Sequence, residues 1–332
     1  MKKASLLIPL TIILVLMSTT VVKAKPFYEG KVIKIIVATK PGGGYDYYAR
    51  LMAPFLQKYL PGSTVIVKNM PGAGHVIGTN ATYLGKPDGL TIGTFNRAVG
   101  MTQVAAMKGV KFDFSKFKWL GSPSEETYCL IVNSDAFKNI DDVLKAENLR
   151  MATSGVGTVA YVTTILFYQM LGQKNYSIGT GYAGGEVELA IMRKEMDGNF
   201  GSFDSRKSMV ESGYGRFILF IGKTKPAGYE NVPFIQDILT DPKHKPVIAL
   251  LNGLNTVGRP FAVQPDLPED RLKVLQNAFK KAVQDPELLK VAKKADRPVE
   301  FVTPEECEAW AKSLLQLPPD IVDAIKNAYK SN

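Results

Sequence analysis

The chain has 332 residues, 45% hydrophobic and 22% charged, with a formal net charge of +10. That length gives room for two domains of ordinary size, and the positive excess comes without runs of Lys and Arg among aromatics, so nucleic-acid binding is not indicated. Two histidines and two cysteines, none with metal-ligand spacing, give no sign of a metal centre.

Residues 1–24 have the form of a secretory signal. Lys2 and Lys3 begin it, Leu6 to Met17 is its apolar core, and Val22-Lys23-Ala24 is a small-x-small cleavage site. The apolar run is too short to span a bilayer comfortably. Cleavage after Ala24 removes three lysines and no acid, which lowers the net charge from +10 to +7 and predicts an exported chain. Export permits a disulfide between Cys129 and Cys307; buried free thiols are the alternative, and the sequence leaves both open.

Val32 to Ala38 reads as a buried strand, Pro41-Gly42-Gly43-Gly44 as a loop, and the stretch from near Asp46 as a helix. On that helix Ala49, Met52, Ala53, Leu56 and Leu60 form one apolar stripe. The glycines therefore sit at a helix N-terminus, where free N–H groups and the helix dipole favour an anion such as a carboxylate. A plain strand-to-helix turn is the other reading of the same residues. Thr64 to Lys68 follows as a strand, Asn69 to Gly74 as a second Gly-rich turn, and His75 to Leu84 as a helix stopped by Pro87-Asp88-Gly89. Leu90 to Phe95 is a third strand, with Arg97 just beyond its C-terminal end, where ligands collect in open α/β sheets. Its guanidinium can fork a carboxylate; a surface arginine is the alternative.

Past an irregular stretch holding Trp119, the pattern begins again. The expected elements are a strand over Tyr128 to Val132, a helix from Asp141, a strand over Arg150 to Thr153, the loop Ser154-Gly155-Val156-Gly157-Thr158, and a long helix over Val159 to Leu171. A strand through Tyr176 to Tyr182 leads to Gly184 and Gly185 and the helix Val187 to Met196; a further strand ends at Asp204. Arg216 to Ile221 is another strand, Asn231 to Gly258 is mixed, and the remainder is expected to be helical, with Pro304 and Pro319 at first-turn positions. The reading is α/β, with two similar lobes.

Enzyme signatures are thin. Gly155 to Ala160 matches a dinucleotide G-x-G-x-x-A, but the acid expected about 20 residues on is absent. No P-loop ending and no G-x-S-x-G elbow is present. No cofactor is expected.

Taken in order, the signal, Pro41 to Gly44 with Asp46 and Ala49-Arg50, and Asn69 with Pro71 to Gly74 form the first part of a pattern. Pro87-Asp88-Gly89, Ser154 to Thr158, Tyr182 before Gly184-Gly185, and Arg259-Pro260 complete it. The whole resembles the Bug-type extracytoplasmic solute receptors of tripartite tricarboxylate transporters. The resemblance implies a periplasmic binding protein with two α/β lobes, the chain crossing between them twice and ligand held in the cleft. Residues 25–127 and 257–332 would form lobe 1 and residues 128–256 lobe 2. It implies an organic carboxylate as ligand, membrane transporter subunits as partners, a monomer, and no catalysis. Pro41 to Asp46 would hold one carboxylate, partly through water, and Ser154 to Thr158 would meet the other end. Tyr182, Gly184, Gly185 and Asp204 would line the second-lobe wall. Tyr45, Arg97 and Tyr161 stand where the family varies; they suit a ligand with an apolar body, such as an aromatic acid or longer dicarboxylate, better than citrate. An exported hydrolase acting on an acidic small molecule and a sensory receptor are the rival readings.

Overall fold

The computed structural model describes residues 26–330 except 175 and 183. The signal-like segment 1–24 lies outside the described residues. The chain first lays down β1 (Val32–Val37), α1 (Gly44–Tyr59), β2 (Thr64–Asn69), α2 (Val76–Tyr83), β3 (Thr91–Thr94), α3 (Gly100–Val104) and β4 (Lys118–Gly121). It crosses into a second body of β5 (Tyr128–Asn133), α4 (Ile140–Lys145), β6 (Leu149–Ala152), α5 (Val159–Met170), β7 (Tyr176–Gly179) and α6 (Glu186–Met192). That body continues with β8 (Gly198–Ser202), α7 (Phe203–Glu211), β9 (Gly215–Ile221), α8 (Ile235–Ile238) and α9 (Lys245–Gly253). A return crossing leads to β10 (Phe261–Val263) and the helices α10 (Glu269–Val283), α11 (Pro286–Lys294), α12 (Pro304–Leu315) and α13 (Pro319–Lys330).

Two five-stranded sheets result, ordered β2-β1-β3-β10-β4 and β7-β6-β8-β5-β9. In each, the strand that arrives by a crossing, β10 or β5, pairs antiparallel with neighbours that include the parallel set. Within β1 Ile33, Ile35, Ile36 and Val37 are buried, as a parallel strand covered by helices must be, while Val32 is exposed at its start, and α1 lays Tyr48, Ala49, Met52 and Leu56 on the buried part. The two crossing segments run side by side, Glu126 N–H donating to Asn255 O at 2.9 Å and Gly258 N–H to Ser124 O at 2.8 Å. They are the two connections between the bodies, placed where a clamp has its hinge.

Three expectations needed correction. The strand expected to end at Asp204 gives way at Phe203 to α7, whose sequence FDSRKSMVE buries only Met209 and so shows no apolar stripe. The strand from Tyr176 stops at Gly179 rather than Tyr182. The C-terminal remainder is not all helical: Phe261, Ala262 and Val263, all fully buried, complete the first sheet, and three residues between prolines are too few to show a period. The last helix also reaches beyond the first lobe. α13 packs on α5 of the second lobe as well as on α3 of the first. Cys129 and Cys307 are both buried and free.

Candidate functional site

A cavity of about 840 Å³ opens between the lobes. Its lobe 1 wall is the loop from β1 into α1. Gly42 takes a left-handed φ of 84° and donates its N–H to Asp46 Oδ2 at 3.0 Å. Asp46 also accepts from Arg50 Nε at 3.0 Å and Asn69 Nδ2 at 2.9 Å. Burial pushes its carboxyl up, but the hydrogen bonds from Arg50, Gly42 and Asn69 outweigh this and hold it below the ordinary carboxylate value. Asp46 is thus an anionic brace behind the loop, and it does not line the cavity. α1 begins without a side-chain cap, and the N–H groups of Gly44, Tyr45 and Asp46 have no partner among the described residues.

The lobe 2 wall begins differently. Thr158 Oγ1 caps α5 by accepting from Tyr161 N–H at 3.3 Å, and it donates to Gly155 O at 2.8 Å. The N–H of Val159 is taken by a lobe 1 side chain, Asn96 Oδ1, at 3.1 Å. The lobes are in contact on both flanks of the cavity. A Cβ on Gly74 would lie 1.6 Å from Val156 O, and one on Gly184 would lie 3.2 Å from Gly42 C. Glycine is what lets the two backbones approach so closely. At the mouth, Lys40 Nζ reaches Glu186 Oε2 at 3.3 Å and Gly181 O at 3.1 Å.

The floor lies on the hinge and is cationic. Arg97, 1% exposed, donates to Asn255 Oδ1 at 2.7 Å and Gly258 O at 3.3 Å and lies over the Tyr128 ring at 4.9 Å. Arg259, 2% exposed, pairs with Glu126 at 3.1 Å, donates to Ser202 Oγ at 3.2 Å and lies over the Tyr45 ring at 4.7 Å. Among the described residues the Nε of each is buried without a partner. Burial pushes the Glu126 carboxyl up while Arg259 pulls it back. Further out, Arg206 pairs with Glu188 and donates to Asn199 Oδ1 at 3.0 Å, and Arg297 pairs with Asp204 at 3.0 Å. His75, 6% exposed, lines the cavity, its Nδ1 has no partner among the described residues, and burial lowers its pKa to about 4.

Of the residues singled out in the sequence, Gly42, Gly43, Gly44, Tyr45, Arg97, Ser154, Thr158, Tyr182, Gly184 and Gly185 line this cavity. Pro41, Gly155, Val156 and Gly157 are not among its lining residues; the last three pack near or against Gly74. Tyr161 is fully buried against Tyr329, their ring centroids 5.9 Å apart, because α5 is covered on nearly every side. Asp204 faces a smaller cavity behind the hinge, where it holds Arg297. Arg259, Arg206, Glu188 and His75 are additional lining residues. Arg259 at a crossing and Arg206 on the unforeseen α7 gain their roles only through tertiary contacts.

The family described as "Tripartite tricarboxylate transporter family receptor" (TctC) matches residues 48–311, most of the chain. The chain belongs to that family. It is a solute-binding receptor of the tripartite tricarboxylate transporter type, and its two-lobed α/β architecture is that of periplasmic binding proteins. A 65-residue stretch is 46% identical to Protein BugT of Bordetella pertussis, covering 20% of this chain and 20% of BugT. The periplasmic binding protein BugD superposes with a TM-score of 0.75 at 18% identity, over 91% of this chain and 98% of BugD. MatC of Rhodopseudomonas palustris, solved with bound malate, superposes with a TM-score of 0.74 at 16% identity, over 89% of this chain and 99% of MatC.

Proposed function

We propose that this receptor is exported after cleavage behind Ala24, closes on a small organic carboxylate, and delivers it unaltered to the membrane subunits of a tripartite tricarboxylate transporter. The observation that carries the reading is the cavity itself: the α1 N–H groups, unpartnered among the described residues, and the buried guanidiniums of Arg97 and Arg259 meet at one space between two lobes. Helix N-termini favour anions, and an arginine can donate two parallel bonds to a carboxylate. The malate bound by MatC, a protein of the same fold, is a ligand of this chemistry.

The contact pattern supports capture without chemistry. Among the described residues His75 Nδ1 has no partner, so it holds no hydroxyl nucleophile in this arrangement. Closure against the paired glycine segments encloses the ligand, and reopening at the hinge releases it. A sensory receptor would use the same clamp.

A thermal-shift screen of carboxylates on the mature chain tests the proposal. Ligand at a hundredfold its dissociation constant is expected to add about 2.7 kcal/mol of stability. Steady turnover of an acid by the purified protein would contradict the reading.

A further inference from the structure

The charges lining the cavity fall into pairs with one remainder. Lys40 is matched by Glu186, Arg206 by Glu188, Arg259 by Glu126, and Arg297 by Asp204. His75, with its lowered pKa, is neutral near pH 7. Among the described residues Arg97 is the one lining charge with no carboxylate at ion-pair distance; its hydrogen bonds go to neutral oxygens, and its Nε has no partner. The cavity therefore carries about one uncompensated positive charge, and buried charge is costly until it is matched.

A second deficiency is of opposite kind. Glu188 uses Oε1 on Arg206, while its Oε2 is buried, lies on a residue that lines the cavity, and accepts from nothing among the described residues. A buried carboxylate oxygen without a donor costs free energy, and a ligand that brings the donor recovers it.

Resting on the reading of the cleft as a carboxylate site, we propose that the cargo is a net monoanion bearing a hydrogen-bond donor, and that Glu188 is the residue that selects it. The anionic part answers Arg97. The donor, an ammonium or a hydroxyl, answers Glu188 Oε2. A plain dianion would answer the first demand with one charge too many and leave the second unmet. On this account Glu188 is a specificity determinant, and Arg206 positions it.

Titration calorimetry on the mature chain separates the two demands. Succinate, glutarate and adipate carry two negative charges and no donor; malate and 2-hydroxyglutarate add a hydroxyl at the same charge. Aspartate, glutamate and 2-aminoadipate add an ammonium and bring the net charge to minus one. Within each chain length we expect at least a tenfold gain from the plain to the amino diacid, and at four and five carbons the hydroxy diacid between them. In Glu188→Gln, which removes the carboxylate and frees the Arg206 charge, that gain is expected to fall at least tenfold. The double variant Glu188→Gln with Arg206→Gln removes the pair as a unit, is expected to lose the same preference, and serves if the single variant does not fold. Plain diacids binding as tightly as amino diacids, or a preference unchanged in both variants, would overturn the inference and leave carboxylate capture standing. Binding of none of the eight acids would overturn the carboxylate reading and this inference with it.

Discussion

The N-termini of α1 and α5 follow loops of similar composition, yet the folded chain treats them differently. At α1 the preceding glycines leave three N–H groups without partners among the described residues, and the nearest carboxylate, Asp46, is turned back onto Gly42, Arg50 and Asn69. At α5 Thr158 caps one N–H and Asn96, from the opposite lobe, takes another. On the proposed reading one helix end is kept for an anion; the other fastens the lobes together. The comparison teaches that a Gly-rich loop before a helix states where an anion could bind, and that side chains distant in sequence decide whether it does.

Removing Arg97 should have the largest effect on this asymmetry, because among the described residues it is the one lining charge with no carboxylate at ion-pair distance, whereas Arg259 is held by Glu126. Arg97→Ala is expected to weaken binding of the tightest acid in the screen about a hundredfold, from lost hydrogen bonds to a charged group. Calorimetry reads the affinity, and circular dichroism checks that the fold persists. Unchanged affinity would remove Arg97 from the ligand's contacts.

Asn96→Ala acts on the other helix end. It deletes the acceptor that Val159 N–H uses across the lobes, so it should cost about 1 kcal/mol of closure and weaken binding roughly fivefold. A loss as large as that of Arg97→Ala would mean that α5 binds the ligand as directly as α1 does.

A further effect is expected on stability rather than on binding, as pH dependence through His75. Burial lowers its folded pKa to about 4 from 6.5, so between those values the unfolded chain binds more protons than the folded one. Stability should therefore be intact above pH 6.5 and decline as pH falls toward 4, by up to about 3 kcal/mol from this group. Urea melts of the wild type and His75→Gln across that window check it: the variant should show a smaller decline. Equal declines would assign the pH dependence to other groups.

Much of the fold was legible because its signals are local. The stripe Ala49, Met52, Ala53 and Leu56 and the glycine loops placed α1 and its N-terminus, and all four of those stripe residues are buried. The strand β10 and the helix α7 were not legible, the first too short and the second too polar to show a period. Tyr161 was misplaced for a related reason: a helix buried on almost every face offers no pattern to tell the cleft side from the core side. Asp204 lay close along the chain to the right wall, but its carboxylate is engaged by Arg297 from the C-terminal segment. The ion pairs Arg259 with Glu126 and Arg206 with Glu188 join residues 133 and 18 positions apart, and only the folded lobes reveal that they balance the charge of one cavity.

The most direct test is a crystal structure of the mature protein with the tightest acid of the screen. The account predicts a carboxylate oxygen within hydrogen-bond distance of the Gly44 or Tyr45 N–H, another acidic oxygen on Arg97 or Arg259, and Asn96 still joined to Val159. A ligand seated on Ser154 to Thr158, with Asn96 displaced and the α1 amides empty, would contradict it.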